Sequence, residues 1–508
     1  MKLRSPFSSR AILGEGEIYV LLVACAIWFL LNLDGALGCD EVLKTSGTSF
    51  LLFGGPVANL NHPPLAKILL GIGPVFLGET SVGWRVVTPF FALGTIYLTY
   101  RIGVLLKNRT VGFLASVAVA LTHLFASHAV MAMLDVYIAF FAVLLLFLTL
   151  SYFRKMEMPE KDEKLYLLAM GAASCAIFLS KYYGLFFAAA TYLVLLWRWR
   201  RVGSDGGLST LARHKFFLLG HGVVALLAYL PILIRIGEVT RYIGEAQAFV
   251  SEIVGGNRIL VAGTVYDGAP IWSYLWWFWE YGGWFYLLGL AVLLYVLFMG
   301  VRTRKLTWEH KALIAMAVIP LVCLSLLTVK YPRYLVPLFP ILGLYAAMAI
   351  HGGVELLMKR ISARRKLSKR TLKVLTASLA LSVLLIPFSP VYTAVDDPRI
   401  NTDSGYDIAA GMVIEYAQAN ANRSVLVYSW YAHILEYYLE DSYPANLNVE
   451  SLLYSSEQYD EIASNGVDIV IDLESQPRFD DTPTFILVHE SYASRQQVKD
   501  DLYLYFMR

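Results

Sequence analysis

The sequence predicts an α-helical polytopic membrane protein of about eleven transmembrane helices, followed by a small extracytoplasmic α/β domain. Three observations carry this expectation. Hydrophobic residues make up 57% of the 508 positions and charged residues 16%, whereas soluble domains carry about 25% charged residues. Apolar runs near the roughly 20 residues that cross a bilayer as a helix recur up to Pro390. Beyond that point the composition turns polar and acid-rich. The net charge of +3 says little, because the charges are so unevenly spread.

In chain order, the predicted spans are 18–37, 84–106, 111–127, 133–153, 165–180, 183–199, 216–236, 276–300, 312–329, 334–351 and 372–389. The first follows a basic leader and runs into Asn32 and Asp34 without a small-residue cleavage site, so it reads as an uncleaved span. The apolar stretch 65–77 is too short to cross and reads as a surface or re-entrant helix. Lys and Arg concentrate in cytoplasmic loops. With the basic N-terminus inside, the basic loops 107–109, 154–164, 198–215, 302–311 and 359–373 all fall inside too. The outer side then receives 34–83, the turns near His128 and Lys181, the loop 237–275, 330–333 and everything after Pro390. The expected organisation is a transmembrane domain over 1–390, in the cell membrane, and an extracytoplasmic domain over 391–508.

In that second domain, candidate strands at 425–428, 467–472, 485–489 and 503–507 accompany helical patterns at 431–439 and 456–465, which suggests a small α/β unit. No glycine-rich phosphate loop opens these helices, so no nucleotide site is assigned, and no nucleic-acid partner is expected. The four cysteines, Cys25, Cys39, Cys175 and Cys323, are too scattered for a metal motif or a disulfide framework.

Transporters place ionisable residues within their spans, along the substrate path. Here the span centres are nearly free of charge. Outside the basic loops, the ionisable residues lie at outer ends: Asp40, Glu41, His62, Lys67, Arg85, Asp135, Lys181, Arg235, Arg241, Lys330 and Arg333. That distribution favours an enzyme working at the outer interface over a lipid or polysaccharide transporter, with a non-catalytic scaffold as a third reading.

The sharpest candidate is Asp40-Glu41, just after the first span. A carboxylate there could take the proton of an attacking hydroxyl, and the bland alternative is a solvated turn. His62-Pro63-Pro64-Leu65-Ala66-Lys67 opens the short apolar helix, where Pro suits the first turn. Lys67 would sit near the headgroups, either snorkelling or stabilising a phosphate leaving group. Asp135 opens the fourth span, as a helix N-cap or as a functional acid. Ser180-Lys181-Tyr182-Tyr183-Gly184 and Lys330-Tyr331-Pro332-Arg333-Tyr334 are outer turns pairing cations with aromatics, as interface anchors or as phosphate ligands. His123 and His128 are wrongly spaced for a shared helical face, and no metal site is expected. Trp272, Trp276, Trp277, Trp279 and Trp284 form an interfacial belt or a groove wall.

At these residues the sequence resembles the dolichyl-phosphate-mannose–protein mannosyltransferases and their relatives in the GT-C superfamily, which include the bacterial lipid A aminoarabinose transferases. The likeness rests on Asp40-Glu41, on His62 to Lys67, and on Leu134-Asp135 followed by Ala139-Phe140-Phe141. It also rests on Ser180-Lys181-Tyr182-Tyr183-Gly184-Leu185-Phe186, and weakens towards Arg333-Tyr334. It implies an inverting enzyme that takes a monosaccharide from a polyprenyl phosphate without depending on a metal, although a divalent cation is not excluded. By that resemblance Asp40 is the general base, Glu41 supports substrate placement, and Asp135 orients the sugar or the Asp40 loop. Lys67, Lys181, Arg333 and Arg85 would hold the lipid phosphate, while His62, Tyr182 and Tyr334 position the acceptor or the loop. The sugar is expected to be mannose or another hexose, and the acceptor a protein or a glycolipid. The loop 237–275 is too short for the β-trefoil of the eukaryotic mannosyltransferases, and the Trp-Trp-Asp motif of oligosaccharyltransferases is absent. An aminoarabinose or pentose donor with a glycolipid acceptor is the alternative.

Overall fold

The computed structural model describes residues 16–53, 62–154, 159–202, 208–234, 258–261, 264–365, 368–386, 405–429, 432–439, 443–452, 467–473, 492–499 and 502–507. The chain opens with α1 (Gly16–Leu31), then packs five helices into what the sequence reads as a loop and the start of the next span. These are α2 (Cys39–Leu52), α3 (Pro64–Leu70), α4 (Ile72–Leu77), α5 (Ser81–Arg85) and α6 (Thr88–Leu106). Next come α7 (Arg109–Leu121), α8 (His123–Ala129), α9 (Asp135–Arg154), α10 (Glu160–Ser180), α11 (Gly184–Val202) and α12 (Thr210–Ile234). A hairpin of β1 (Arg258–Val261) and β2 (Thr264–Asp267) leads to α13 (Ser273–Thr303), α14 (Trp308–Leu326), a 3-10 turn at Pro332–Leu335, α15 (Phe339–Arg365) and α16 (Lys369–Leu385).

Seven helices are long and apolar enough to cross a membrane, with α5 and α6 counting together as one; the pair α7 and α8, bent by 71°, would make an eighth. Helices α1 and α16 fall in two further predicted spans but have only 16 and 17 residues. Helix α11 carries Arg198, Arg200 and Arg201 near its C-terminal end, which break its apolar run. By length and composition seven to eight of the described helices qualify as spans, and the expected eleven are not established. Helix α13 is broken internally at Gly283, whose φ of 53° and ψ of −143° lie outside helical space.

The spans pack through small residues, as expected where lipid offers no hydrophobic drive between helices. Where α10 crosses α12, a Cβ at Gly171 would run into the Phe217 carbonyl oxygen, and one at Gly220 into that of Leu168. Larger side chains at either position would push the two backbones apart.

After residue 404, α17 (Tyr406–Ala419), β3 (Val425–Ser429), α18 (Ala432–Leu439), β4 (Leu447–Ser451), β5 (Ile469–Leu473), β6 (Tyr492–Lys499) and β7 (Leu502–Met507) form the small domain. Its five-stranded sheet runs β4-β3-β5-β7-β6, with β3 parallel to β4 and β5, and β7 antiparallel to β5 and β6. The predicted strands near 425, 467 and 503 and the helix at 431–439 have counterparts here, while α17, β4 and β6 are additions. The predicted strand 485–489 and helix 456–465 lie outside the described residues. This domain does not stand apart. Tyr406, Ala409, Val413 and Leu435 share one hydrophobic cluster with Leu37, Val42, Ala66, Leu70, Trp84 and Leu134.

Candidate active site

Helix α2 begins at Cys39 with Gly38 as its N-cap, and the Gly38 N–H donates to Glu41 Oε2 at 2.9 Å. Asp40 stands in that first turn; its side chain lies outside the described residues. Glu41 is fully buried and paired with Arg85, Nε to Oε1 at 2.7 Å and Nη2 to Oε2 at 2.6 Å. The Ala132 N–H also donates to Glu41 Oε1, at 2.7 Å. Four donors thus surround the two carboxylate oxygens. Arg85 is equally committed: Nη1 reaches the carbonyls of Leu33, Asp34 and Gly35 at 3.2, 2.9 and 3.2 Å, and Nη2 that of Ala36 at 3.2 Å. A buried bidentate pair of this kind is strongly destabilised if one partner is removed. The geometry gives Glu41 and Arg85 an architectural role, since they lock the chain leaving α1 to the start of α2, to α5 and to the segment preceding α9.

A second buried ion pair lies at the outer ends of α9 and α10. Asp135 opens α9, and Lys181 follows α10; Lys181 Nζ sits 3.0 Å from Oδ1 and 2.9 Å from Oδ2 of Asp135. The Tyr183 hydroxyl donates to the same Oδ1 at 2.9 Å. The ammonium lies 5.8 Å from the Tyr183 ring centroid and 5.6 Å from that of Tyr334, within cation–π reach of both. Asp135 therefore fixes the position of Lys181.

Lys181 and Tyr183 border a cavity of about 140 Å³. His62, Lys181, Tyr182, Tyr183 and Tyr334 give it polar atoms, and Leu185, Phe186, Leu327 and Val329 an apolar wall. Pro63 and Pro64 place His62 at the mouth of α3, with Pro64 in its first turn. Burial first, and then the positive charges of Lys44, Lys181, Lys67 and Arg333, hold the His62 imidazole well below its ordinary pKa of 6.5. Four cations from α2, α3, the α10–α11 turn and the 3-10 turn therefore bear on one neutral histidine. A low-dielectric place with this charge excess suits an anion.

Of the residues named from sequence, the structure brings together His62, Lys67, Asp135, Lys181, Tyr182, Arg333 and Tyr334. It turns Glu41 and Arg85 inward to each other. Lys330 points to the Ala269 carbonyl at 2.5 Å instead. Lys44 and Tyr183 are additions. The signal for Lys44 was present: Glu41, Lys44, Thr45 and Thr48 are all buried and recur at helical spacing. Among the described residues no three His, Cys, Asp or Glu side chains are grouped to hold a metal ion.

Residues 60–236 match the model of the family described as dolichyl-phosphate-mannose-protein mannosyltransferase. That stretch holds His62, Lys67, Arg85, Asp135, Lys181 and Tyr182, and stops short of Arg333 and Tyr334. Among solved structures, ArnT from Cupriavidus metallidurans, bound to undecaprenyl phosphate, is similar in fold with a TM-score of 0.61 at 16% identity, over 96% of this chain and 97% of that one. The Archaeoglobus fulgidus oligosaccharyltransferase, tethered with an acceptor peptide containing the NVT sequon, gives a TM-score of 0.58 at 14% identity, over 94% and 72% of the two chains. The oligosaccharyltransferase AglB from the same organism, in complex with an inhibitory peptide and a dolichol-phosphate, gives 0.53 at 13% identity, over 90% and 69%. Comparison with curated proteins gives no match. The resemblance to the GT-C glycosyltransferases holds at the family-model match and in the fold of nearly the whole chain.

Proposed function

We propose that this chain is an integral-membrane glycosyltransferase that moves one monosaccharide from a polyprenyl phosphate to an acceptor hydroxyl, with inversion, on the extracytoplasmic side. The observation that carries the reading is the set of four cations, Lys44, Lys67, Lys181 and Arg333, bearing on His62 in the wall of the cavity. The family match over 60–236 and the lipid phosphates bound to the two structural neighbours support the same donor class.

In this reading Asp40 accepts the proton of the acceptor hydroxyl as its oxygen attacks the anomeric carbon. The bond from that carbon to the phosphate oxygen breaks, and its electron pair leaves with the lipid phosphate. Lys181, held charged and in place by Asp135 and Tyr183, stabilises the charge that develops there, with Lys44, Lys67 and Arg333 adding to the field. Neutral His62 can donate or accept one hydrogen bond without adding charge. Arg85 and Glu41 take no part in the chemistry; they fix where the Asp40 turn stands. No step is assigned to a metal ion.

A hexose such as mannose is the first donor to try. Aminoarabinose or another pentose with a glycolipid acceptor is the second reading, favoured by one comparison: the fold likeness extends over 97% of ArnT but 72% of the oligosaccharyltransferase. Detergent-purified protein, with no ion gradient, is expected to convert a radiolabelled polyprenyl-phosphate sugar into labelled product and free polyprenyl phosphate. Organic extraction separates a glycolipid product from a glycoprotein. Failure with both hexose and aminoarabinose donors, across peptide and glycolipid acceptors, would overturn the reading.

A further inference from the structure

Three helices lead from the cavity to one place at the other end of the bundle. Helix α9 starts at Asp135 and ends at Arg154; α11 starts just after Tyr183 and reaches Arg198 and Arg201; α14 ends just before Leu327 and starts at Trp308, with Lys311 in its first turn. Each has 19 or 20 residues, about 30 Å of helix, which is the thickness of the hydrocarbon core. Their far ends therefore lie about one hydrocarbon thickness away from the candidate active site, where the apolar run of α11 gives way to its arginines.

There the side chains form one built cluster. The rings of Trp197 and Trp308 meet edge to face, 5.2 Å between centroids. The Lys311 ammonium lies 4.1 Å from the first centroid and 3.9 Å from the second. The Arg198 guanidinium is 4.8 Å from the Phe153 ring and 5.5 Å from Trp308, and that of Arg201 is 5.4 Å from Trp197. Sharing a ring keeps each arginine within about 10 Å of Lys311, one Debye length at 0.1 M salt. The acid at hand among the described residues is Glu309, which pairs with Arg154 at 3.7 Å. Arg198, Trp308 and Lys311 are only partly exposed, so water screens them incompletely.

We propose that Lys311, Arg198 and Arg201, set by Trp197 and Trp308, bind the phosphodiester of an anionic phospholipid in the leaflet opposite the active site. The occupant follows from depth and charge. Indoles settle at the headgroup layer, guanidinium groups match phosphate oxygens, and basic pockets between helix ends are suited to acidic headgroups. Three cations gathered on two rings with one acid nearby repel each other until an anion joins them. The site is separate from the sugar chemistry and stands or falls without it.

Native mass spectrometry of the purified full chain, delipidated and then titrated with phosphatidylglycerol or phosphatidylcholine, tests this. Wild type is expected to retain one phosphatidylglycerol in preference to phosphatidylcholine, with free glycerol phosphate failing to displace it. Affinity should fall about fivefold per cation removed, so about a hundredfold in R198Q/R201Q/K311Q. The conservative K311R should keep it, and K311Q alone gives the fivefold reading should the triple variant fold poorly. Equal retention of both lipids by wild type, unchanged retention in K311Q, or displacement by glycerol phosphate would each overturn the proposal.

Discussion

Lys181 is held by Asp135, a residue 46 positions earlier, through both carboxylate oxygens at 3.0 and 2.9 Å in a fully buried setting. Removing either charge alone strands the other away from water. Lys181→Met is expected to destabilise the protein by roughly 3–5 kcal/mol. The double variant D135N/K181M, which removes both charges, should recover much of the melting temperature in detergent while transfer stays lost. Recovery of transfer along with stability would remove Lys181 from the proposed phosphate site.

Asp40 and Glu41 are neighbours with different expected phenotypes. Asp40→Asn should leave the melting temperature unchanged and lower turnover by about 10²–10⁴-fold, the usual worth of a general base. Glu41→Gln breaks the pair with Arg85 and should show itself first as roughly 3–5 kcal/mol of lost stability. A folded, cool-melting E41Q protein that still turns over at low temperature would confirm the separation. A stable but inactive one would make Glu41 a catalytic residue after all.

His62 makes stability depend on pH with a definite sign. Its folded pKa lies well below the ordinary 6.5, so below pH 6.5 the unfolded chain binds a proton that the folded chain does not. The contribution is present above pH 6.5 and is lost as pH falls from there towards the folded pKa. Melting temperature should therefore drop from pH 7 to pH 5, and His62→Gln should flatten that slope. An unchanged slope in the variant would show that other groups set it.

Lys44 joins the candidate site through its charge on His62. Lys44→Gln is expected to raise KM for the lipid donor with less effect on kcat, since it contributes field to the phosphate in ground and transition states alike. An effect confined to kcat would place Lys44 closer to the reacting bond.

Tyr438 ties the small domain to the candidate site. The Leu37 N–H donates to its hydroxyl at 2.6 Å, and burial comes first among the causes that push this phenol well above its ordinary pKa. Tyr438→Phe leaves that N–H without its acceptor, a loss of about 1–3 kcal/mol. Truncation after residue 386 should do more, because it uncovers Leu37, Val42, Ala66 and Trp84 from their shared cluster with α17 and the sheet. Aggregation or low yield of the truncated chain is the expected result, and a well-behaved active fragment would contradict it.

What the sequence made legible follows from physics of different range. His62, Lys67, Asp135, Lys181 and Arg333 were found because charge at the end of an apolar run is expensive and therefore conspicuous. The pairing of Glu41 with Arg85 was not, since only tertiary packing brings an acid at the start of α2 against the end of α5. Within 34–83 the apolar stretch 65–77 announces its helical turns, whereas Cys39–Leu52 does not, because its polar stripe from Glu41 to Thr48 faces inward. In the small domain, β4 and β6 escaped notice for a related reason. They are the two edges of the sheet, and edge strands carry the polar, charged sequences that discourage further pairing, as Arg495, Gln496 and Gln497 do in β6.

The bonds around the turn that carries Asp40 also impose an order of assembly. A chain is made from its N-terminus onward, and a bond cannot close before its partner exists. Arg85 arrives 44 residues after Glu41, the Ala132 N–H 91 residues after it, and Tyr438 401 residues after Leu37. The stretch from Leu33 to Glu41 can thus be secured only in three successive stages, and the last waits for the small domain. Until Tyr438 has been made, the turn is held from two sides only, so its full set of bonds waits on a domain whose Tyr438 comes 401 residues after Leu37.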